Sequence, residues 1–308
     1  MNDRQTIRIS DELISECHLR MTESIKLTEA ATAIDRSVFE IQKTYEIALA
    51  ESRQTLSLLR ELEFKFGDRV LEVGAGYGLA SICLAMMGFE VVALEPGGIG
   101  FEENRLASIA FAKSCGVLLD HITESAESYD FSQMEKFRLI ISNNVLEHIP
   151  DVDRALTNLN NALSTDGVMV HSCANYSFPF EPHFGIPLMP MIPRFTSKLL
   201  PQSIVSSGLW RSLNFIKYSQ VKRNSRRSQM TCGFRKGTMS KSIQRLRLDQ
   251  EFSERHAAIS RLVRWRLLYR FLLLMTSIPR RFATPMDFII CFPGEEESKN
   301  VRTWLRSR

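Results

Sequence analysis

Residues 69–80 read RVLEVGAGYGLA, and no other stretch restricts the fold of this chain so strongly. Apolar residues suited to a buried strand run into a turn with three glycines, and an apolar helix-forming run, GLASICLAMM, starts from that turn. Glycine accepts positive φ without steric cost and lets the backbone pass close to a ligand. Strand, glycine-rich turn and helix form the first part of a βαβ crossover, in which a nucleotide sits against the turn and the helix N-terminus. FEVVALEP then supplies the next strand, with Glu95 at its end.

Beyond this unit strands and helices keep alternating. FEENRLASIAFAKS reads as a helix, GVLLDHIT and FRLIISN as strands, DVDRALTNLNNAL as a helix, STDG as a turn and VMVHSC as a strand. Near-continuous apolar strands separated by helices predict an α/β fold, a parallel sheet covered on both faces. Upstream, Ile25, Ile34, Val38, Ile41, Tyr45 and Ala48 recur at helical spacing and no Gly or Pro occurs before Gly67, which predicts two or three helices over 11–62. Past residue 175 the prolines at 179, 182, 187, 190, 193 and 201 break the pattern, and irregular basic sequence runs to about 236. KSIQRLR then reads as a helix, LDQEF as a short strand, 256–276 as a helix and MDFIICF as a last strand. The expected organisation is a helical cap over 1–65, a nucleotide-binding core over 66–175, a basic, proline-rich insertion or lid over 176–236, and completion of the sheet over 237–308.

The turn is not that of a dinucleotide site. A GxGxxG pattern starting at Gly74 and Gly76 needs a third glycine where Leu79 stands, and the third glycine comes one residue early, at Gly78. Glu72, two residues before the turn, would repel a pyrophosphate, but its carboxylate suits a ligand with an ammonium group. S-adenosylmethionine carries a methionyl amine and a sulfonium and no phosphate. Glu95 falls where an acid can accept hydrogen bonds from ribose hydroxyls. An oxidoreductase using NAD is disfavoured by Leu79 and Glu72 together.

VLEVGAGYG, ALEP, ITESAES and the long block FRLIISNNVLEHIPDVDRALTNLNNALSTDGVMV, in this order and spacing, resemble the motifs of the class I methyltransferases that use S-adenosylmethionine. The resemblance covers roughly residues 66–175 and extends to the ubiquinone-biosynthesis-like members. It implies a Rossmann-like, seven-stranded, doubly wound sheet. It further implies that Gly74, Ala75, Gly76 and Gly78 bring backbone to the cofactor and that Glu72 lies beneath its amino-acid moiety. By the same resemblance Glu95 holds the ribose, Ser125, Ala126 and Glu127 meet the adenine, and Asn143 and Asn144 line the methionine side. The family often has Asp where Ser125 stands, which leaves a backbone contact from Ala126 as the adenine bond.

Methyl transfer to a hydroxyl needs alignment and removal of one proton. His148, in VLEHIP, follows the fourth strand of the core, and His183, in FPFEPHFGIP, lies in the loop past the fifth, at the carboxyl edge where such sheets bind substrate. Both are candidate bases; a loop-orienting or helix-capping role is the competing reading of His148. His171 and His121 sit on strands and are expected in packed layers. Acids able to hold a metal do not cluster along the sequence, so metal-independent O-methylation is the expectation, on a small-molecule, glycan or lipid-linked acceptor.

Six scattered cysteines without a CxxC pair predict a reducing compartment and no zinc site or disulfide framework. MNDRQTIRISDEL lacks the apolar run of a signal peptide, and no run of about 18 apolar residues predicts a membrane span. The expected location is cytoplasmic. The overall charge of +4 hides an asymmetry, because residues 191–281 hold 20 Lys/Arg against three acids. Arg261, Arg264, Arg266 and Arg270, interleaved with Leu, Trp and Tyr, suit peripheral contact with an anionic membrane surface, or arginines snorkelling from a packed helix. No known nucleic-acid-binding module appears. A non-catalytic membrane- or nucleic-acid-binding protein that keeps the cofactor fold is the competing function.

Overall fold

The computed structural model describes residues 5–96, 102–190, 192–248, 269–270, 279–295 and 298–306. Three N-terminal helices, α1 (Asp11–Ser24), α2 (Leu27–Ala33) and α3 (Val38–Leu58), are bracketed by a small antiparallel ribbon of β1 (Thr6–Arg8) and β2 (Glu63–Lys65). The ribbon was not evident in the sequence, since three residues per strand carry too little alternation to read. Ser37 caps α3: its hydroxyl accepts from Glu40 N while the Glu40 carboxylate accepts from Ser37 N.

The core runs β3 (Arg69–Val73), α4 (Leu79–Met86), β4 (Glu90–Leu94), α5 (Glu102–Ser114), β5 (Asp120–Ile122), β6 (Phe137–Asn143), α6 (Val152–Ala162) and β7 (Leu163–Cys173). The turn expected at STDG is instead the start of β7, where Leu163 pairs with Phe137 before a register shift. Downstream come a two-residue ribbon, β8 (Phe180–Glu181) with β9 (Ile186–Pro187), and the helices α7 (Gln202–Val205), α8 (Gly208–Ser212) and α9 (Tyr218–Arg227). They are followed by β10 (Thr231–Phe234), α10 (Thr238–Leu248), β11 (Met286–Cys291) and α11 (Lys299–Arg306).

The sheet order is β10-β11-β7-β6-β3-β4-β5, parallel from β7 to β5, with β11 antiparallel to β7 and to β10. This is the expected seven-stranded, doubly wound architecture. Alternate residues serve opposite faces. Val70 packs with Ile82, Phe111 and Trp304 on the face covered by the N-terminal helices, and Leu71 with Leu156, Trp210 and Phe288 on the other. The edge strand β10 lies in sequence read as irregular, because TCGF is four residues long inside a basic stretch. In the segment read as an insertion or lid, Trp210, Leu213 and Phe215 join the core cluster of Leu71, Met169 and Phe288, and Trp210 stacks edge-on with Phe184 and Phe215, at ring distances of 6.0 and 5.8 Å.

Leu248 ends α10, and the rest of the expected LDQEF strand lies outside the described residues, as does most of the expected 256–276 helix with Arg261, Arg264 and Arg266. No helix among the described residues is long and apolar enough to cross a membrane. The strand order reverses at β3, which places a crevice at the carboxyl ends of β3 and β6, the position where open α/β sheets bind ligands.

Candidate active site

Glu72 and the glycine turn open into that crevice. The Glu72 side chain is buried and accepts a hydrogen bond from Ser81 Oγ of α4 at 2.5 Å. Burial pushes its carboxyl up to about 7, against the opposing pull of the Ser81 bond. Gly74 has φ +71° and a Cβ there would meet Val145 Cγ2 at 2.4 Å, so this glycine lets the turn close on the chain leaving β6. A Cβ on Gly78 would strike Ser108 Oγ of α5 at 2.2 Å. Gly78 therefore serves helix packing, and it does not line the cavity. Gly76, at φ +54°, has open space where its Cβ would stand.

A cavity of about 160 Å³ is lined by Glu72, Gly74, Ala75, Gly76 and Asn143, all of them expected cofactor contacts. Thr44, Glu51, Ser52 and Thr55 of α3 close its other side. Among the described residues, the buried Asn143 Oδ1 has no hydrogen-bond partner, and no Lys or Arg lines the cavity. A wall with carboxylates, an open amide oxygen, exposed turn backbone and no cation fits an ammonium-bearing ligand and would leave a pyrophosphate unpaired.

Glu95 stands behind the turn: its carboxylate accepts from Gly76 N at 2.9 Å and from Asn104 Nδ2 at 3.2 Å. A carboxylate has about four acceptor positions, so these bonds hold the turn and leave capacity for hydroxyls. Ser125, Ala126 and Glu127 do not line the cavity. The carbonyls of Ala126 and Glu127 accept from Asn158 Nδ2 at 3.2 and 3.0 Å, which fixes this segment on α6. Asn144, at φ +56°, gives its N–H to the Ser172 carbonyl at 2.9 Å and turns the chain out of β6.

The turn leads into a short 3-10 helix, Leu146–His148, stapled by one residue of the inserted segment. Asn214 Nδ2 donates to the carbonyls of Leu146 and Ile149 at 2.6 and 2.7 Å, and Asn214 N donates to the Glu147 carbonyl at 2.8 Å. Glu147 is buried; its Oε1 accepts from Ala174 N at 3.2 Å, its Oε2 has no partner, and burial pushes its carboxyl up to about 7. His148 Nδ1 lies 2.8 Å from Ser212 Oγ, whose own proton goes to the Leu209 carbonyl at 2.8 Å. His148 Nδ1 is therefore the donor, and Nε2 keeps its lone pair.

The β8–β9 ribbon brings His183 to the same place. Its Nδ1 bonds to Glu181 Oε1 at 2.6 Å, and the fully buried Glu181 also accepts from Tyr176 Oη at 3.1 Å and Phe184 N at 2.8 Å. Burial draws the His183 imidazole down, but the bond and charge of Glu181 outweigh it and leave the group raised. Burial, with the neighbouring His183, takes His148 down to about 4. The two rings meet edge-to-face at 5.1 Å.

Glu147, His148 and His183 each place a ligand atom within 4.8 Å of the others. The expectation looked only for clustered acids; the group found here has one carboxylate, with the β8–β9 ribbon bringing the distant His183 to the neighbouring Glu147 and His148. His171 is fully buried, bonded to Ser142 Oγ at 2.8 Å and held neutral by burial, and His121 bonds to Ser108 Oγ at 3.1 Å. Both belong to packed layers. Sequence reading missed α3 as a cavity wall and missed Glu181, Tyr176, Ser212 and Asn214. Glu181 had only the weak signal of an acid two residues before His183, with Glu181 ending β8 and His183 in the turn that follows.

Comparison with known proteins shows the family. A family profile described as a methyltransferase domain matches residues 42–255. An uncharacterized protein of Mycobacterium tuberculosis is 32% identical over 200 residues, 62% of this chain and 67% of that protein. The ubiquinone biosynthesis O-methyltransferase of Paramagnetospirillum magneticum is 34% identical over 119 residues, 39% of this chain and 44% of that enzyme. Among solved structures, phosphoethanolamine N-methyltransferase 2 of Haemonchus contortus aligns with a TM-score of 0.48 at 14% identity, over 77% of this chain and 51% of that one. The profile spans well over half of the sequence, and the chain belongs to the methyltransferase-domain family, with the class I, S-adenosylmethionine-dependent fold.

Proposed function

We propose that the chain is a methyltransferase that binds S-adenosylmethionine in the cavity at the glycine turn and transfers its methyl group to an oxygen of a small-molecule acceptor. The observation that carries this reading is the adjacency of two differently equipped sites. The cavity has acceptors and no cation. Four and five residues past the lining Asn143, Glu147 and His148 present proton-accepting groups together with His183, whose imidazole feels the charge of the cavity-lining Glu51. Bound S-adenosylmethionine supplies a methyl group on a sulfonium, and its transfer leaves the electron pair of the broken C–S bond on sulfur. Glu72 and Asn143 receive the ammonium end, Gly76 leaves room for it, and Glu95 keeps the turn in place. Glu181 holds His183 through Nδ1, so that Nε2 takes the proton of the acceptor hydroxyl as the new O–C bond forms.

The likeness to ubiquinone biosynthesis O-methyltransferases supports oxygen as the accepting atom, while the share of those enzymes that this chain spans is under half. The test is incubation with methyl-labelled S-adenosylmethionine and separated cell fractions. Label should enter a small molecule, in a form stable as a methyl ether; label found only in protein or nucleic acid contradicts the reading.

The charge of the second half supports an anionic acceptor or the surface that carries it. Lys222, Arg223, Arg226 and Arg227 of α9 line, with Arg281, a groove of about 500 Å³. Only Arg223 has a carboxylate within 4 Å among the described residues, Asp153 at 3.9 Å. Each Lys or Arg near an anionic bilayer contributes about 1 kcal/mol, within a Debye length. Co-sedimentation with phosphatidylserine vesicles is therefore expected at low salt and lost at high salt. Changing all four α9 cations to Gln should weaken it by one to two orders of magnitude, about half of their summed contribution; equal binding by wild type and variant removes this part of the proposal.

A further inference from the structure

We propose that Glu147, His148 and His183 form a binding site for a divalent first-row transition-metal ion of the zinc type. The inference rests on the reading of this cluster as the acceptor end of the active site, and goes beyond it by assigning the ion that the cluster holds.

Three independent features converge. Both imidazoles are held through Nδ1, His148 by Ser212 Oγ at 2.8 Å and His183 by Glu181 Oε1 at 2.6 Å, which leaves Nε2 of each as the ligating nitrogen. The partner of His183 is a fully buried carboxylate, and a carboxylate behind a ligating histidine is the usual device for fixing its orientation and raising its basicity. Third, Glu147 Oε2 is buried and unpartnered, although Oε1 of the same carboxylate is anchored on Ala174 N. A buried carboxylate oxygen without a donor costs free energy, and a cation between it and the two imidazoles removes that cost.

Each of the three residues offers a ligand-capable nitrogen or oxygen within 4.8 Å of the others. On a common ion they would stand roughly 3 Å apart, given metal–ligand bonds of about 2.0–2.2 Å. Binding would therefore draw the three groups closer together, with His183, its side chain 22% exposed, on the open side of the cluster. Two imidazoles and one carboxylate suit zinc, iron, cobalt and nickel better than magnesium or calcium. Three protein ligands also leave positions open for water or the acceptor oxygen. An acceptor hydroxyl on such an ion loses its proton more readily. With the ion bound, His183 would act as ligand and that proton would pass to solvent, the lone pair left on oxygen forming the bond to the methyl carbon; in the metal-free chain His183 Nε2 takes the proton, as proposed above.

The test is titration of the metal-stripped full chain with Co²⁺, read by visible absorption and by equilibrium dialysis with no methyl donor present. One equivalent per chain, with d–d bands showing nitrogen ligation and displacement by Zn²⁺, is expected. His183→Ala and Glu147→Gln should each lower affinity by about 100-fold or more, and Glu181→Gln, which acts through His183, by about 10–100-fold. Because Glu147 is buried and could disturb folding, His183→Ala is the deciding variant, with S-adenosylhomocysteine binding as its control for an intact core. No stoichiometric uptake by the wild type overturns the site, as does equal affinity in the His183→Ala and Glu181→Gln proteins. Failure of S-adenosylhomocysteine to bind the wild type would instead strike the methyltransferase reading, and leaves the cobalt result to decide the metal site by itself.

Discussion

Replacing His183 by alanine should lower the turnover of methyl transfer by about 10²–10⁴-fold, the range associated with a positioned proton-transfer group. S-adenosylhomocysteine affinity should stay unchanged, because His183 does not line the cavity at the glycine turn. The geometry behind this expectation is the chain Tyr176–Glu181–His183, in which the buried carboxylate accepts from both neighbours and fixes the imidazole. Glu181→Gln keeps the side-chain shape and loses the charge, so its effect should fall between wild type and His183→Ala, on turnover rather than on cofactor affinity. Steady-state rates and calorimetry on the same preparations check both statements. A His183→Ala protein with full turnover removes this residue from the chemistry.

The second large effect concerns Glu72 and pH. Its carboxyl is raised to about 7 by burial, from an ordinary value of 4.5. Below pH 4.5 the group is protonated in both folded and unfolded chains and contributes no slope. Between 4.5 and 7 the unfolded chain ionises first, so stability falls as pH rises, by about 3 kcal/mol in full at 1.36 kcal/mol per unit. Above 7 both states are ionised and the penalty is constant. Glu72→Gln, which can still accept from Ser81, should therefore be more stable than wild type at pH 8 by up to this amount, and no more stable at pH 4; denaturant melts at the two pH values measure it.

Cofactor binding should respond in the opposite direction. An ammonium group beside Glu72 favours the ionised carboxylate, so affinity should fall as pH drops below 7, by up to about tenfold per unit. Glu72→Gln should bind more weakly at pH 8 and lose that dependence. Calorimetry in two buffers of different ionisation enthalpy would show one proton released on binding near pH 6 in the wild type and none in the variant. An unchanged pH profile in Glu72→Gln contradicts the placement of the ammonium group.

What could be read in advance followed local chemistry. The apolar runs of β3, β4, β6 and β7 announced a buried parallel sheet, and the glycine turn with Glu72 marked the cavity. Gly78 was legible as a glycine but not in its role, because the Ser108 it packs against lies 30 residues away on α5. The same limit hid α3: Thr44, Glu51 and Ser52 look like an ordinary solvated helix face until α3 is laid over the turn. The meeting of His148 with His183 depends on the β8–β9 ribbon and on Asn214, and neither has a periodic signature. Local patterns carry the sheet and the turn, whereas the Glu147–His148–His183 cluster is a product of tertiary packing.

Calorimetric titration of the purified chain with S-adenosylhomocysteine reaches the central claim most directly. The expected result is one site per chain, with binding lost in Gly76→Val, where a branched side chain fills the open space at φ +54° and strains the turn. No binding by a folded wild-type protein, or preferential binding of NAD, would contradict it.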